Sequence, residues 1–204
     1  MLQRRQQHQG DEMKRRTFLS ASAGLALGSL ALGACTTTKP EATSDKAARR
    51  RELDSGVDGT LSRLYDSVKG SRELGNRARG ILVFPKTLTA GFIVGGEYGD
   101  GALRSGGATR GYYRLIAGSV GWQIGAQSKA VILMFLTPDA YDKFVRSSGW
   151  TAGVDATVAV ATIGANGVLD TNTAQQPIVG FVMTNAGLMA GLSFEGSKIS
   201  KLDL

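Results

Sequence analysis

The sequence predicts an α+β domain over residues 48–204: a glycine-rich, mainly antiparallel β-sheet packed with an N-terminal amphipathic helix and one further helix. Three observations lead there. Glycine supplies 28 of 204 residues, about twice the usual ~7%, and it is interleaved with Val, Ile, Phe and Tyr without a Gly-X-Y period. From Gly80 onward, short apolar runs are bounded by Gly and Pro, as strands are. Ahead of them lies one stretch with helical periodicity.

That stretch runs from Asp45 to Lys69. Leu53, Val57, Leu61, Leu64, Tyr65 and Val68 fall on one stripe, with Arg49, Arg50, Arg51, Arg63 and Lys69 on the other faces. Such a stripe packs on a core or lies on lipid; core packing is the expectation. Gly70 is the expected stop, and Arg72 to Arg79 a short second helix. "GILVFP" and "AGFIVGG" read as strands, and Asp100-Gly101 as a tight turn. "GSVGWQIGAQ" alternates like a half-buried strand, and "AVILMFL" (Ala130 to Leu136) reads as a central one. Thr137-Pro138-Asp139 then opens a helix with a cap, a first-turn proline and an acid, burying Tyr141, Phe144 and Val145. "VDATVAVATIG" and "PIVGFVMTNAGLMAGLSFEG" return to strands, the second a hairpin turning near Asn185-Ala186-Gly187.

Residues 1–34 read differently. Lys14-Arg15-Arg16 is a basic head, Phe18 to Leu32 an apolar run with only Ser as polar interruption, and Gly33-Ala34 a small-residue segment before Cys35. The run is short for a membrane span, which takes about 20 residues. Leu32-Gly33-Ala34-Cys35 resembles a bacterial lipobox, which assigns the solitary cysteine to diacylglycerol attachment. Arg15, Arg16, Phe18 and Leu19 resemble the twin-arginine export motif. Met13 reads as the true start. Residues 35–47 are small, polar and proline-containing, a lipidated flexible tether. Thr36 after the cysteine, where aspartate would signal inner-membrane retention, makes the outer membrane facing the periplasm the expected location.

Processing would strip much of the chemistry. The single histidine, His8, lies ahead of Cys35, so the mature chain has neither imidazole nor free thiol. Ser-His-Asp or Cys-His catalysis and His or Cys metal sites are thereby excluded, and no cofactor is expected. Removing residues 1–34 takes away five basic and two acidic residues, lowering the net charge from +7 to +4. This mild excess suits an anionic surface and does not argue for nucleic acid. Gly95 to Gly101 lacks the Gly-Lys-Ser/Thr ending of a phosphate loop and reads as turn and close strand packing. Glu97, Asp100 and Glu195 read as surface or turn acids rather than acid-base catalysts, so no enzyme is expected.

"ARGILVFPKTLTAGFIVGGEYGDGAL", "GSVGWQIGAQSKAVILMFLT" and "GLMAGLSFEGSKIS" together resemble the SYLF lipid-binding domain family, over roughly Leu53 to Leu204. The resemblance implies a non-catalytic module that binds anionic phospholipid or phosphoinositide-like headgroups, here in an exported bacterial lipoprotein held by its acyl anchor. Gly111-Tyr112-Tyr113-Arg114 departs from the Trp with a nearby Pro of many relatives, which turns the expectation away from actin. Lys86, Arg104, Arg110, Arg114 and Lys129, the basic residues of the β region, are the expected phosphate contacts. The alternative is a protein-binding or structural module of the envelope, marked by an exposed apolar patch around Trp122 or Trp150.

Overall fold

The computed structural model describes residues 41–91, 94–120, 127–164, 167–189 and 192–204. The expected lipidation and export residues Cys35, Arg15, Arg16, Phe18 and Leu19, and also Trp122, lie outside them. The unit Lys39–Leu204 is a mixed α+β body, as the glycine and apolar patterns predict. Helix α1 spans Glu41–Ser67, beginning within the span read as tether, and α2 spans Ser71–Arg77. Gly70 stands between them at φ 88, a conformation open to glycine at little cost.

Among the described residues the sheet has nine strands: β1 (Gly80–Gly91), β2 (Val94–Ser105), β3 (Ala108–Val120), β4 (Gln127–Phe135), β5 (Gly149–Thr151), β6 (Ala159–Val160), β7 (Ile178–Thr184), β8 (Gly187–Leu188) and β9 (Lys198–Leu202). Their order is β5-β9-β3-β2-β1-β4-β7-β6, with β8 hairpinned onto β7. Every strand pair is antiparallel except β6 with β7. Helix α3 (Pro138–Arg146) opens as the sequence predicts, the Thr137 hydroxyl accepting from the Ala140 N–H at 3.3 Å.

Strand alternation divides the buried side chains into two cores. On one face Val57, Leu64 and Val68 pack with Ile81, Val83, Ala102, Ile132, Met134 and Phe181. The α1 stripe is therefore core. On the other face Leu82, Phe84, Leu103, Leu133 and Phe135 pack with Phe144 of α3 and with Trp150. Trp150 is 2% exposed, so it marks no surface patch.

Two expectations are corrected. Pro85 does not end a strand: β1 runs through it with a register shift between Val83 and Lys86. Such a bulge accommodates a residue that cannot donate to the ladder. Nor is Asp100-Gly101 a turn. Both residues lie inside β2, and the β2–β3 turn falls instead on Gly106-Gly107, at φ 60 and 76. Gly101 is needed for close approach, since a Cβ there would overlap the Val83 carbonyl oxygen and lie 2.7 Å from the Phe84 ring.

Candidate functional site

Beyond the apolar core, the α1 face of the sheet continues as two cross-strand rows. Register places Lys86 (β1), Asp100 (β2), Arg114 (β3) and Ser200 (β9) in one. Leu88, Tyr98, Ile116 and Lys198 form the next. Strands sit ~4.8 Å apart, so the three side chains Leu88, Tyr98 and Ile116 span about 10 Å. They are 44%, 42% and 51% exposed, a contiguous apolar row in an otherwise polar rim.

Asp100 organises the first row. Arg114 grips it with Nε to Oδ1 at 2.8 Å and a terminal nitrogen to Oδ2 at 3.2 Å. Arg49 of α1 donates to the same Oδ2, and the Tyr98 hydroxyl donates to it at 3.3 Å. Burial alone would push this carboxyl up, but hydrogen bonds and charge from Arg114 and Arg49 outweigh it and hold the carboxyl below its usual range. The hydrogen bond from Arg114 to Asp100 likewise raises the guanidinium further, against the effect of burial. Its Cζ also sits 4.8 Å from the centroid of the Tyr98 ring, a cation–π contact. The expectation that Glu97 and Asp100 are surface or turn acids therefore fails: both are buried strand residues with ion-pair partners. Glu195 is exposed.

The five basic residues predicted to contact phosphate do not converge. Lys86 and Arg114 share a row, but Arg114 is committed to Asp100. Arg104 lies two rows away, held by Asp58 at 2.7 Å and Asp54 at 3.5 Å, and donates to Thr109 at 2.5 Å. Lys129 is on the opposite face, 2.8 Å from Glu97 across β1. Arg110 is exposed near the Gly106-Gly107 turn, its Nε donating to the Ser105 carbonyl at 3.2 Å. Lys86 alone of the five is both exposed and beside the apolar row, with no ion pair among the described residues. It lines a cavity of ≈ 400 Å³ with Arg49, Glu52, Leu53, Pro85 and Asp100, where α1 crosses the bulge.

Sequence reasoning missed Arg49, Lys198 and the apolar row. Arg49 reads as the solvated face of a helix, yet it bridges α1 to the sheet. Leu88 sits between threonines and reveals its face only once the Pro85 bulge is known. Among the described residues no group of acidic, His or Cys side chains is arranged to hold a metal.

A family model described as "Ysc84: Las17-binding protein actin regulator" matches residues 116–203, from the exposed end of β3 through β9. No curated protein matches the chain. That segment is similar to the SYLF (Ysc84) domain, a lipid- or actin-related binding module, and the match is consistent with a member of that family.

Proposed function

We propose that the chain is a non-catalytic, acyl-anchored lipoprotein of the bacterial envelope whose SYLF domain binds anionic phospholipid headgroups. One observation carries the reading: the exposed row Leu88–Tyr98–Ile116, flanked on the same face by Lys198 and by Lys86, a cation with no ion pair among the described residues. Aliphatic and aromatic side chains with a polar tip suit the membrane interface, where the apolar part is buried and the cations meet phosphate. Completing the burial of three half-exposed side chains contributes roughly 1 kcal/mol each. Two lysines near an anionic surface add about 1 kcal/mol each. The sum of about 5 kcal/mol amounts to three to four orders of magnitude in partitioning, an upper value because ordering costs are left out. An acyl anchor at Cys35 would hold the domain at an effective lipid concentration on the order of mM, so weak affinity suffices.

Sedimentation tests this with the chain from Thr36 onward, which lacks the anchor and retains the compact unit Lys39–Leu204. Binding should appear on phosphatidylglycerol vesicles, fall with added salt, and drop severalfold in Lys86→Glu and in Leu88→Ser with Ile116→Ser. Equal binding to neutral and anionic vesicles, indifferent to salt, would reject headgroup recognition.

A further inference from the structure

The apolar row does not end at Ile116. Beyond it, between β9 and the edge strand β5, lies an open hollow of ≈ 630 Å³ lined by Ile116, Ser148, Gly149, Thr151, Lys198 and Ser200. Pairing of Gly149 with Ser200, Thr151 with Lys198, and Lys198 with Ile116 sets these five on the α1 face of the sheet, and Ser148 immediately precedes β5. The intervening residues Trp150 and Ile199 point the other way and are 2% and 1% exposed in the opposite core. The floor of the hollow is thus fixed by packing beneath it.

Its chemistry differs from that of Arg104, Arg114 and Lys129. Each of those three is neutralised by a carboxylate. No carboxylate lines this hollow, and the Lys198 ammonium has no ion pair among the described residues. The hydroxyls of Ser148, Thr151 and Ser200 likewise make no hydrogen bond among the described residues. Three hydroxyl donors and one ammonium without partners among the described residues, in a hollow whose lining includes no carboxylate, match a tetrahedral oxyanion, which accepts on several oxygens at once.

We infer that this hollow binds a phosphate group, and that its source is a phospholipid headgroup. Lys198 supplies the charge, Ser148, Thr151 and Ser200 supply hydroxyl hydrogen bonds, and Ile116 forms an apolar wall. The assignment of source rests on the lipid-binding reading: a phosphate held here leaves the rest of the lipid beside Leu88–Tyr98–Ile116, so one molecule meets donors and apolar surface together. Nothing in the sequence marks Lys198 apart from other lysines, because two of the three hydroxyls around it, Ser148 and Thr151, come from about fifty residues earlier.

The test has two arms on the full chain in neutral detergent micelles. In the first, inorganic phosphate and glycerol 1-phosphate are titrated while backbone amide shifts of residues 148–151 and 198–200 are followed by NMR. A saturable shift is expected there. Lys198→Met keeps the stem, loses the charge, and should weaken binding about fivefold. Thr151→Val keeps the shape, loses one donor, and should weaken it about threefold. Unchanged thermal unfolding shows that both variants remain folded. In the second arm, binding to phosphatidylglycerol vesicles should fall in both variants. Saturable shifts that vanish in the variants, with no preference for anionic vesicles, would retain the phosphate hollow, make free phosphate its source, and overturn the lipid reading. Anionic-vesicle binding that persists unchanged in both variants would retain the lipid reading and overturn the hollow. Absence of any saturable shift at these amides also overturns it.

Discussion

Replacing Asp100 by Asn should loosen the attachment of α1 to the sheet, and the structure sets the size of the effect. The carboxylate side chain is 8% exposed, Arg114 31% and Arg49 47%. A fully buried pair broken on one side costs about 3–5 kcal/mol, and an exposed one about 0–1. The bidentate Arg114 contact lies between these limits, at about 2 kcal/mol, whereas the half-solvated Arg49 adds only about 0.5. The expected loss of about 2.5 kcal/mol corresponds to a fall in Tm of roughly 5–10 °C for a unit of this size. The pH dependence has a definite sign. A carboxyl held below its usual value stabilises the fold fully above the ordinary carboxylate pKa of ~3.9, and that contribution disappears as pH falls through the depressed value. Wild type should therefore exceed Asp100→Asn by a constant margin near neutrality, and the two should converge in acid. Thermal unfolding followed by circular dichroism over pH 2–8 reads both. Hydrogen exchange should also quicken in α1 around Arg49, ahead of the segment where Val57 and Leu64 bury it. A Tm within about 1 °C of wild type, with parallel acid curves, would refute the assignment of Asp100 as the clasp.

Three further outcomes follow from the sequence and the fold. Mass spectrometry of the mature protein from bacterial membranes should find an acylated N-terminal Cys35, as its place behind the apolar run implies; a free thiol or cleavage elsewhere would sink the anchor. Changing Arg15 and Arg16 together to Lys keeps the charge but not the guanidinium geometry, and should abolish export in a fractionation assay; normal export would point to the general secretory route. Gly101→Ala should cost about 3 kcal/mol in denaturant unfolding, the upper end for overpacking, because the Cβ overlaps backbone. Gly96→Ala in the same strand, where a Cβ meets nothing within 4 Å, should be close to neutral.

What the sequence revealed and what it concealed divide along one physical line. Local signals were legible: the α1 stripe, the Thr137 cap, the continuous apolar run of β4, and the hairpin closed at Gly187, whose φ is 119. Each is set by residues within a few positions of one another. The site depended on partners far apart in sequence. Arg114 and Asp100 are separated by 14 residues, Arg49 and Asp100 by 51, and Arg104 and Asp54 by 50. A basic residue in a strand looks equally available whether or not a carboxylate faces it. Four of the five chosen cations therefore proved committed or distant, while Lys198, in a segment already singled out for its family resemblance, passed unremarked.

The Pro85 bulge decides which residues meet on the α1 face. Before it, Ile81 and Val83 point toward α1, opposite Arg104 and Ala102. An uninterrupted strand would continue with residues 85, 87 and 89, placing Thr87 and Thr89 on that face and hiding Lys86 and Leu88 beneath the sheet. The extra residue reverses the alternation. Lys86 comes opposite Asp100 and Leu88 opposite Tyr98, while Thr87 and Thr89 turn into the other face, where they are 0% and 8% exposed. The Thr87 hydroxyl is satisfied there by donating to the Lys129 carbonyl at 3.1 Å. Gly56 of α1 crosses at this point, since a Cβ on it would approach the Pro85 ring to 3.0 Å. The proline that looked like the end of a strand thus sets the height of α1 over the sheet and the composition of the exposed row. The exposed surface of Leu88, Tyr98 and Ile116 depends on that single inserted residue.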